Sequence, residues 1–149
     1  MITDYQPEYK AAIKELNEAW LEKYFTIEPI DTQILSDPET EILAKGGRIF
    51  YAWNEGKIVG TVSLIKIDDQ TFELSKMAVS EESQGLGLGK KLMEHALNKA
   101  KEMNATKVII YSNTRLGTAI ALYRKYGFTE VNIENNHYER CNIMMEKFI

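Results

Sequence analysis

The sequence predicts an α+β fold in which a mixed, mostly antiparallel sheet is layered between helices. Three observations carry that expectation. Three strand-like runs, RIFYAW (48–53), KIVGTVSLIKI (57–67) and TFELSKMAV (71–79), follow one another across short polar turns, as in an antiparallel meander. Helical periodicity precedes the meander and resumes after it. Further on, KVIIYS (107–112) is apolar without alternation, as a strand covered on both faces is.

The elements follow in order. Across 8–24, Tyr9, Ile13, Leu16, Trp20 and Tyr24 recur at helical spacing, and Pro7 suits a helix start. A shorter helical stretch is expected between Ile30 and Leu43, interrupted at Asp37-Pro38, because a residue before proline is pushed out of the helical region. Gly46-Gly47 breaks the chain ahead of the meander. After the meander, Gly89, Leu92, Met93, Ala96, Ala100 and Met103 share one helical face, with Gly89 placed to let the helix lie close to the sheet. Lys91, Glu94, His95, Asn98 and Glu102 share the other face, which leaves His95 solvated. TAIALYRKY (118–126) reads as a short helix capped by Gly127, with Ala119, Leu122, Tyr123 and Tyr126 in one apolar stripe. FTEVNI (128–133) and YERCNIMMEKF (138–148) read as closing strands. The order is β-α-α-β-β-β-α-β-α-β-β, without repeats, in one domain over 1–149.

Composition narrows the function classes. The chain has 149 residues, 44% of them hydrophobic, and its net charge of −4 counts against a nucleic-acid partner. Cys141 is the only cysteine, so no intramolecular disulfide forms, which fits a reducing cytoplasm. No apolar run approaches the roughly 18 residues that span a bilayer, and MITDYQPEYK lacks the pattern of a signal peptide. A soluble, cytoplasmic protein without a membrane partner is expected. His95, His137 and Cys141 have no metal-site spacing, so no metal is expected. Cys141 reads as a small buried residue.

The stretch Gln84-Gly85-Leu86-Gly87-Leu88-Gly89-Lys90 carries the chemical signal. Its glycines are spaced wrongly for the dinucleotide fingerprint, and Gln84 and Lys91 break the phosphate-loop pattern. The physical feature survives both failures. A strand, a glycine-rich turn and a helix start aim free backbone N–H groups at one point, where they suit an anion. Missing Cβ atoms let a phosphate reach the backbone, and Lys90 and Lys91 add positive charge. The alternative is a plain glycine turn with close helix packing.

Gln84-Gly85-Leu86-Gly87-Leu88-Gly89 resembles the Q/R-x-x-G-x-G/A motif of the GCN5-related N-acetyltransferases, and Asn113 with AIALYRKYGF (119–128) resembles that family's second cofactor segment. The element order is similar too, with residues 1–45 the weakest part of the likeness. The resemblance implies a sheet whose two central strands, 71–79 and 107–112, splay apart. It implies transfer of an acetyl group from acetyl-CoA to a primary amine of a small molecule or peptide, by direct attack in a ternary complex. By resemblance, Gln84, Gly85, Leu86, Gly87, Leu88, Gly89 and Lys90 cradle the pyrophosphate. Met77, Ala78 and Val79 pair with the pantetheine arm, and Asn113 faces it.

The chemistry needs a base for the amine proton, a donor for the oxyanion and an acid for the leaving thiolate. Glu73 is the candidate base, and alternation along a regular strand puts it on one face with Ser75, Met77 and Val79. The alternative is a strand-end glutamate that meets water. By resemblance Tyr123 is the candidate acid, the alternative being a packed core tyrosine. By resemblance Trp20, Tyr24 and Phe25 of the first helical region are candidates for the acceptor side, core packing being the alternative for Trp20, and Ser75 and His137 are further candidates. A non-catalytic acyl-CoA binding or sensing module is the competing function, and a protein-interaction domain on the same fold a third. Dimers are common in the family, so a monomer or a homodimer is expected.

Overall fold

In the computed structural model, which describes residues 1–149, seven strands form one sheet. They are β1 (Ile2–Asp4), β2 (Arg48–Asn54), β3 (Lys57–Lys66), β4 (Thr71–Val79), β5 (Lys107–Ser112), β6 (Thr129–Val131) and β7 (Ile143–Phe148), in the spatial order β1-β2-β3-β4-β5-β7-β6. All neighbours are antiparallel except β4 and β5. The helices are α1 (Lys10–Tyr24), α2 (Pro29–Ser36), α3 (Leu88–Glu102) and α4 (Gly117–Lys125). The chain belongs to the α+β class the meander predicts, with helices over both faces of the sheet.

Each face has its own core. On one, Leu92, Met93, Ala96, Leu97 and Ala100 of α3 and Tyr123 of α4 bury against Phe50, Val62, Leu64, Phe72, Leu74, Val108 and Ile110. On the other, Ile13 and Leu21 of α1 and Ile34 and Leu35 of α2 pack on Ile49 and Tyr51. The buried stripe of α1 is Ile13, Asn17 and Leu21. The predicted stripe ran instead through Leu16 and Trp20, which are half-buried, and through Tyr9 and Tyr24, which are exposed. An asparagine inside the buried stripe is the reason for the shift. Its Nδ2 donates back to the Ile13 carbonyl at 2.9 Å, which satisfies it inside the helix.

Several predicted bounds are corrected. The helix expected across 30–43 stops at Asp37 as the proline requires, and a separate wide turn covers Glu39–Leu43. FTEVNI contributes only Thr129–Val131 to the sheet. The strand predicted from 138 begins at Ile143, because the N–H groups of Glu139 and Arg140 donate to the Glu28 carboxylate at 2.7 and 3.3 Å rather than to a neighbouring strand. Gly89 does not bring α3 close to the sheet, since a Cβ there would meet nothing. Gly60 does: a Cβ on it would lie 3.1 Å from Leu92 Cδ1 and 3.3 Å from Ala52 Cβ. His95 is only partly exposed, its ring 4.7 Å from that of Phe50 at a steep angle.

Two irregularities around β4 shape everything that follows. β4 pairs with β5 only from Thr71–Lys107 to Glu73–Ile109, and beyond Glu73 the two strands share no ladder. On its other side β4 carries a bulge, where three steps from Ser75 to Ala78 oppose two from Ser63 to Thr61, with Lys76 at φ +52°. The bulge overturns the predicted alternation. Glu73 and Ser75 face α1, but Met77 and Val79 pack with Phe72 and Leu74 on the α3 face. Lys76, which a regular strand would send into that α3 core, is turned to the Glu73 side and reaches Asp31 of α2.

Candidate active site

Where β4 and β5 part, a cavity of about 180 Å³ passes through the sheet. Its walls come from both faces: Asn17, Trp20 and Glu73 from the α1 side, Ala119 and Tyr123 from the α4 side. Sheets normally separate such residues. Here the missing β4–β5 ladder lets a carboxylate and a phenol from opposite faces line one space. Trp20, Met77, Leu116 and Ala119 continue into a second, wider cavity of about 600 Å³. That cavity is bounded by Met77, Ala78 and Val79, by Gln84, Gly85, Gly87, Leu88, Gly89 and Lys90, and by Gly117 and Thr118 at the start of α4.

The glycine turn is built for close approach. Gly85 and Gly87 lie at φ +88° and +75°, where a side chain is strained, and Cβ atoms on Gly85, Gly87 or Gly89 would meet open space. The amides from Gly85 to Lys90 donate to no carbonyl, and the first closed bond of α3 runs from Lys91 to Gly87 at 3.2 Å. Six consecutive free N–H groups at a helix N-terminus fit an anionic group such as a pyrophosphate. Gln84 pins the loop, its Nε2 donating to the Val79 carbonyl at 3.4 Å. Leu86 is 55% exposed and does not line the cavity.

The first cavity holds the ionisable groups. Glu73, 5% exposed, makes no ion pair. Burial pushes its carboxyl above the usual range, against the pull of the Ser75 and Tyr138 hydroxyls and the charges of Lys76 and His137. Tyr123 is pushed up to about 12, chiefly by burial, so it stays protonated near neutral pH. Cys141 is pushed up to about 11 by burial, which leaves a thiol rather than a nucleophile. Asn113 lines the cavity, but its side chain already donates to the Arg140 carbonyl at 2.7 Å and accepts from the Arg115 N–H at 2.8 Å. Trp20 lines both cavities and Ser75 the first. Tyr24 packs at a tilt against Trp20 at the edge of the second, 5.4 Å between centroids. His137 is exposed and outside the lining.

A model of the acetyltransferase (GNAT) family matches residues 9–128. The chain belongs to the GNAT acetyltransferase family. The uncharacterized N-acetyltransferase YvbK of Bacillus subtilis is 31% identical to this GNAT chain over 113 residues, 74% of this chain and 73% of its own. A GNAT acetyltransferase from Staphylococcus aureus Mu50 superposes with a TM-score of 0.89 at 25% identity, over 99% of this chain and 98% of its own. The Salmonella typhimurium protein yncA, solved with its cofactor acetyl-CoA, has a TM-score of 0.77 at 21% identity over 99% and 92%, a likeness of fold.

This GNAT chain also holds a charged cluster that its sequence hides. Asp31, fully buried, accepts two bonds from Arg140 at 2.6 and 3.0 Å, one from Lys76 Nζ at 2.8 Å and one from the Glu28 N–H at 2.9 Å. Arg140 also binds Glu28 at 2.8 Å. The Tyr138 ring packs against both cations, 4.5 Å from Lys76 Nζ and 4.9 Å from the guanidinium. Glu28-Pro29-x-Asp31 is a readable capping box, and it opens α2 as one. Nothing in the spacing announces Lys76 or Arg140 as its partners, since they lie 45 and 109 positions away. No three His, Cys, Asp or Glu side chains gather as a metal site would require, and no helix is long and apolar enough to cross a membrane.

Proposed function

We propose that the chain transfers the acetyl group of acetyl-CoA to a primary amine, by direct attack within a ternary complex. The observation that carries this reading is the cavity through the splayed sheet, which joins Glu73 and Tyr123 to the glycine turn. The free amides of 85–90 take the pyrophosphate, and the unladdered edge of β4 at Met77, Ala78 and Val79 takes the pantetheine arm as a strand would. The amine attacks the thioester carbonyl. A C–N bond forms, the C–S bond breaks, Glu73 accepts the amine proton and Tyr123 gives its proton to the leaving sulfur.

Gly89→Ala tests the cofactor half. Gly89 lies in the first turn of α3 without positive φ, and its Cβ would meet nothing. As a packing change the substitution should stabilise the helix by up to about 1 kcal/mol. If acetyl-CoA lies against this turn, the added methyl should weaken its binding by about tenfold or more in calorimetric titration, with ATP as a control. Unchanged binding in a protein of equal or higher Tm would reduce the turn to packing. The acid half is tested by Tyr123→Phe, which removes one hydroxyl that makes no bond to the protein and keeps the ring against Phe128, 6.2 Å away. Turnover should fall by about 10²-fold with acetyl-CoA affinity nearly intact. Full turnover would return Tyr123 to the core and pass the thiolate's proton to another donor.

A further inference from the structure

Glu73 and Lys76 form a pair that the proposed reaction leaves half used. Three residues apart in a regular strand they would point to opposite faces. The bulge at Lys76 brings them to the same cavity, with Ser75 and Tyr138 beside them. The Lys76 side chain is 3% exposed, and of its three N–H donors only one has an oxygen partner, Asp31. Lys76 lines the cavity, and beyond Asp31 its ammonium has only the face of the Tyr138 ring, 4.5 Å away, which leaves room for one more oxygen acceptor. The acceptor is not Glu28 or Asp31, whose two charges are already balanced by Lys76 and Arg140. Glu73 is then the one uncompensated carboxylate of the group, and an amine compensates it.

Resting on the acetyltransferase reading above, we infer that the acceptor is an α-aminoacyl group, an amine whose neighbouring carbon carries a carbonyl, with Glu73 receiving the amine and Lys76 donating to the carbonyl oxygen. The size agrees. A dry cavity of about 150 Å³ holds a benzene, and these 180 Å³ must also admit the acetyl group. Only the head of an acceptor fits. The remainder leaves past Phe25 and Arg140, which line both this cavity and the open groove between the α1–α2 connection and Glu139. A lysine ε-amine or an alkyl polyamine offers no oxygen at that position and leaves the Lys76 donors unmet, which is the larger penalty for a buried polar group. A free amino acid offers a carboxylate, a further negative charge beside Glu73.

The test is steady-state acetylation of glycinamide, its oxygen-free isostere isobutylamine, free glycine and Nα-acetyl-lysinamide, with rates expressed per unprotonated amine. Glycinamide should exceed isobutylamine by about tenfold or more in kcat/KM, the size of one lost charged hydrogen bond. In Lys76→Met that ratio should shrink by about tenfold, and Lys76→Gln, which keeps a donor, should restore part of it. The amines' own basicities cancel in this ratio of ratios. Should Lys76→Met fail to fold, the wild-type ratio alone decides. Isobutylamine or Nα-acetyl-lysinamide acetylated as fast as glycinamide, glycine preferred over glycinamide, or a Lys76→Met ratio equal to wild type would each overturn the assignment. So would no turnover of any of the four by a protein that binds acetyl-CoA. Failure to bind acetyl-CoA would instead remove the acetyltransferase reading beneath it.

Discussion

Asp31→Ala should lower the stability of the fold by about 3–5 kcal/mol, the range for breaking a buried ion pair from one side. For a chain of this size that is a fall in Tm of about 6–20 °C. The size comes from what stays behind. The Lys76 ammonium and the Arg140 guanidinium lose their shared carboxylate, the Glu28 N–H loses its acceptor, and Lys76 stays buried. Glu28 still holds Arg140, so Lys76 suffers most. Asp31→Ala combined with Lys76→Met should therefore be less harmful than the single change, because the stranded charge goes with its partner. Thermal melts of the two variants decide this: a single variant within about 3 °C of wild type would mean the cluster adds little. The pH dependence has a definite sign. Burial works against the Asp31 charge, but Arg140 and Lys76 outweigh it and hold the carboxyl below the usual range. Its stabilisation is thus present above the unfolded value of about 4 and lost as pH falls through the lower folded one. Wild type should lose this part on acidification; Asp31→Ala has none to lose.

The layout of the fold and half of the site were legible because they are written in local pattern. Helix period, turn chemistry and the glycine run fix α3, the meander and the glycine-lined opening, and these need only neighbours in sequence. Glu73 and Tyr123 were found as site candidates, and both line the cavity. What sequence reasoning missed depends on one backbone event. A bulge has no strong spacing signal, yet a lysine at φ +52° in an apolar strand moves Met77 and Val79 away from the Glu73 face and brings Lys76 onto it. Alternation assumed a regular strand and so assigned the wrong companions to Glu73. The Asp31 cluster escaped for a second reason. Tertiary ion pairs between positions 31, 76 and 140 leave no periodic trace, and a capping box accounts for Asp31 without them. One local irregularity was visible, in that Lys76 interrupts an otherwise apolar and small-residue strand end. A buried lysine implies a partner carboxylate, though not which one.

Glu73→Gln should separate activity from stability in a way no packing role would. The variant keeps the shape and removes the proposed proton acceptor, so kcat at saturating amine should fall by about 10²–10⁴-fold near neutral pH. Its acid limb should vanish, since in wild type that limb reports Glu73 gaining a proton in the complex. Near neutral pH the variant should also be more stable than wild type. Burial raises the Glu73 carboxyl above its unfolded value, against Ser75, Lys76, His137 and Tyr138. The stability it contributes is present below the unfolded value and lost as pH rises through the folded one. Gln carries no charge to bury, so its melting temperature should exceed that of wild type at pH 7 and converge with it near pH 4. Lower activity with higher stability marks a carboxylate held in an unfavourable place for its chemistry. Lower activity with lower stability would make Glu73 a structural residue, and unchanged activity would pass the proton to water.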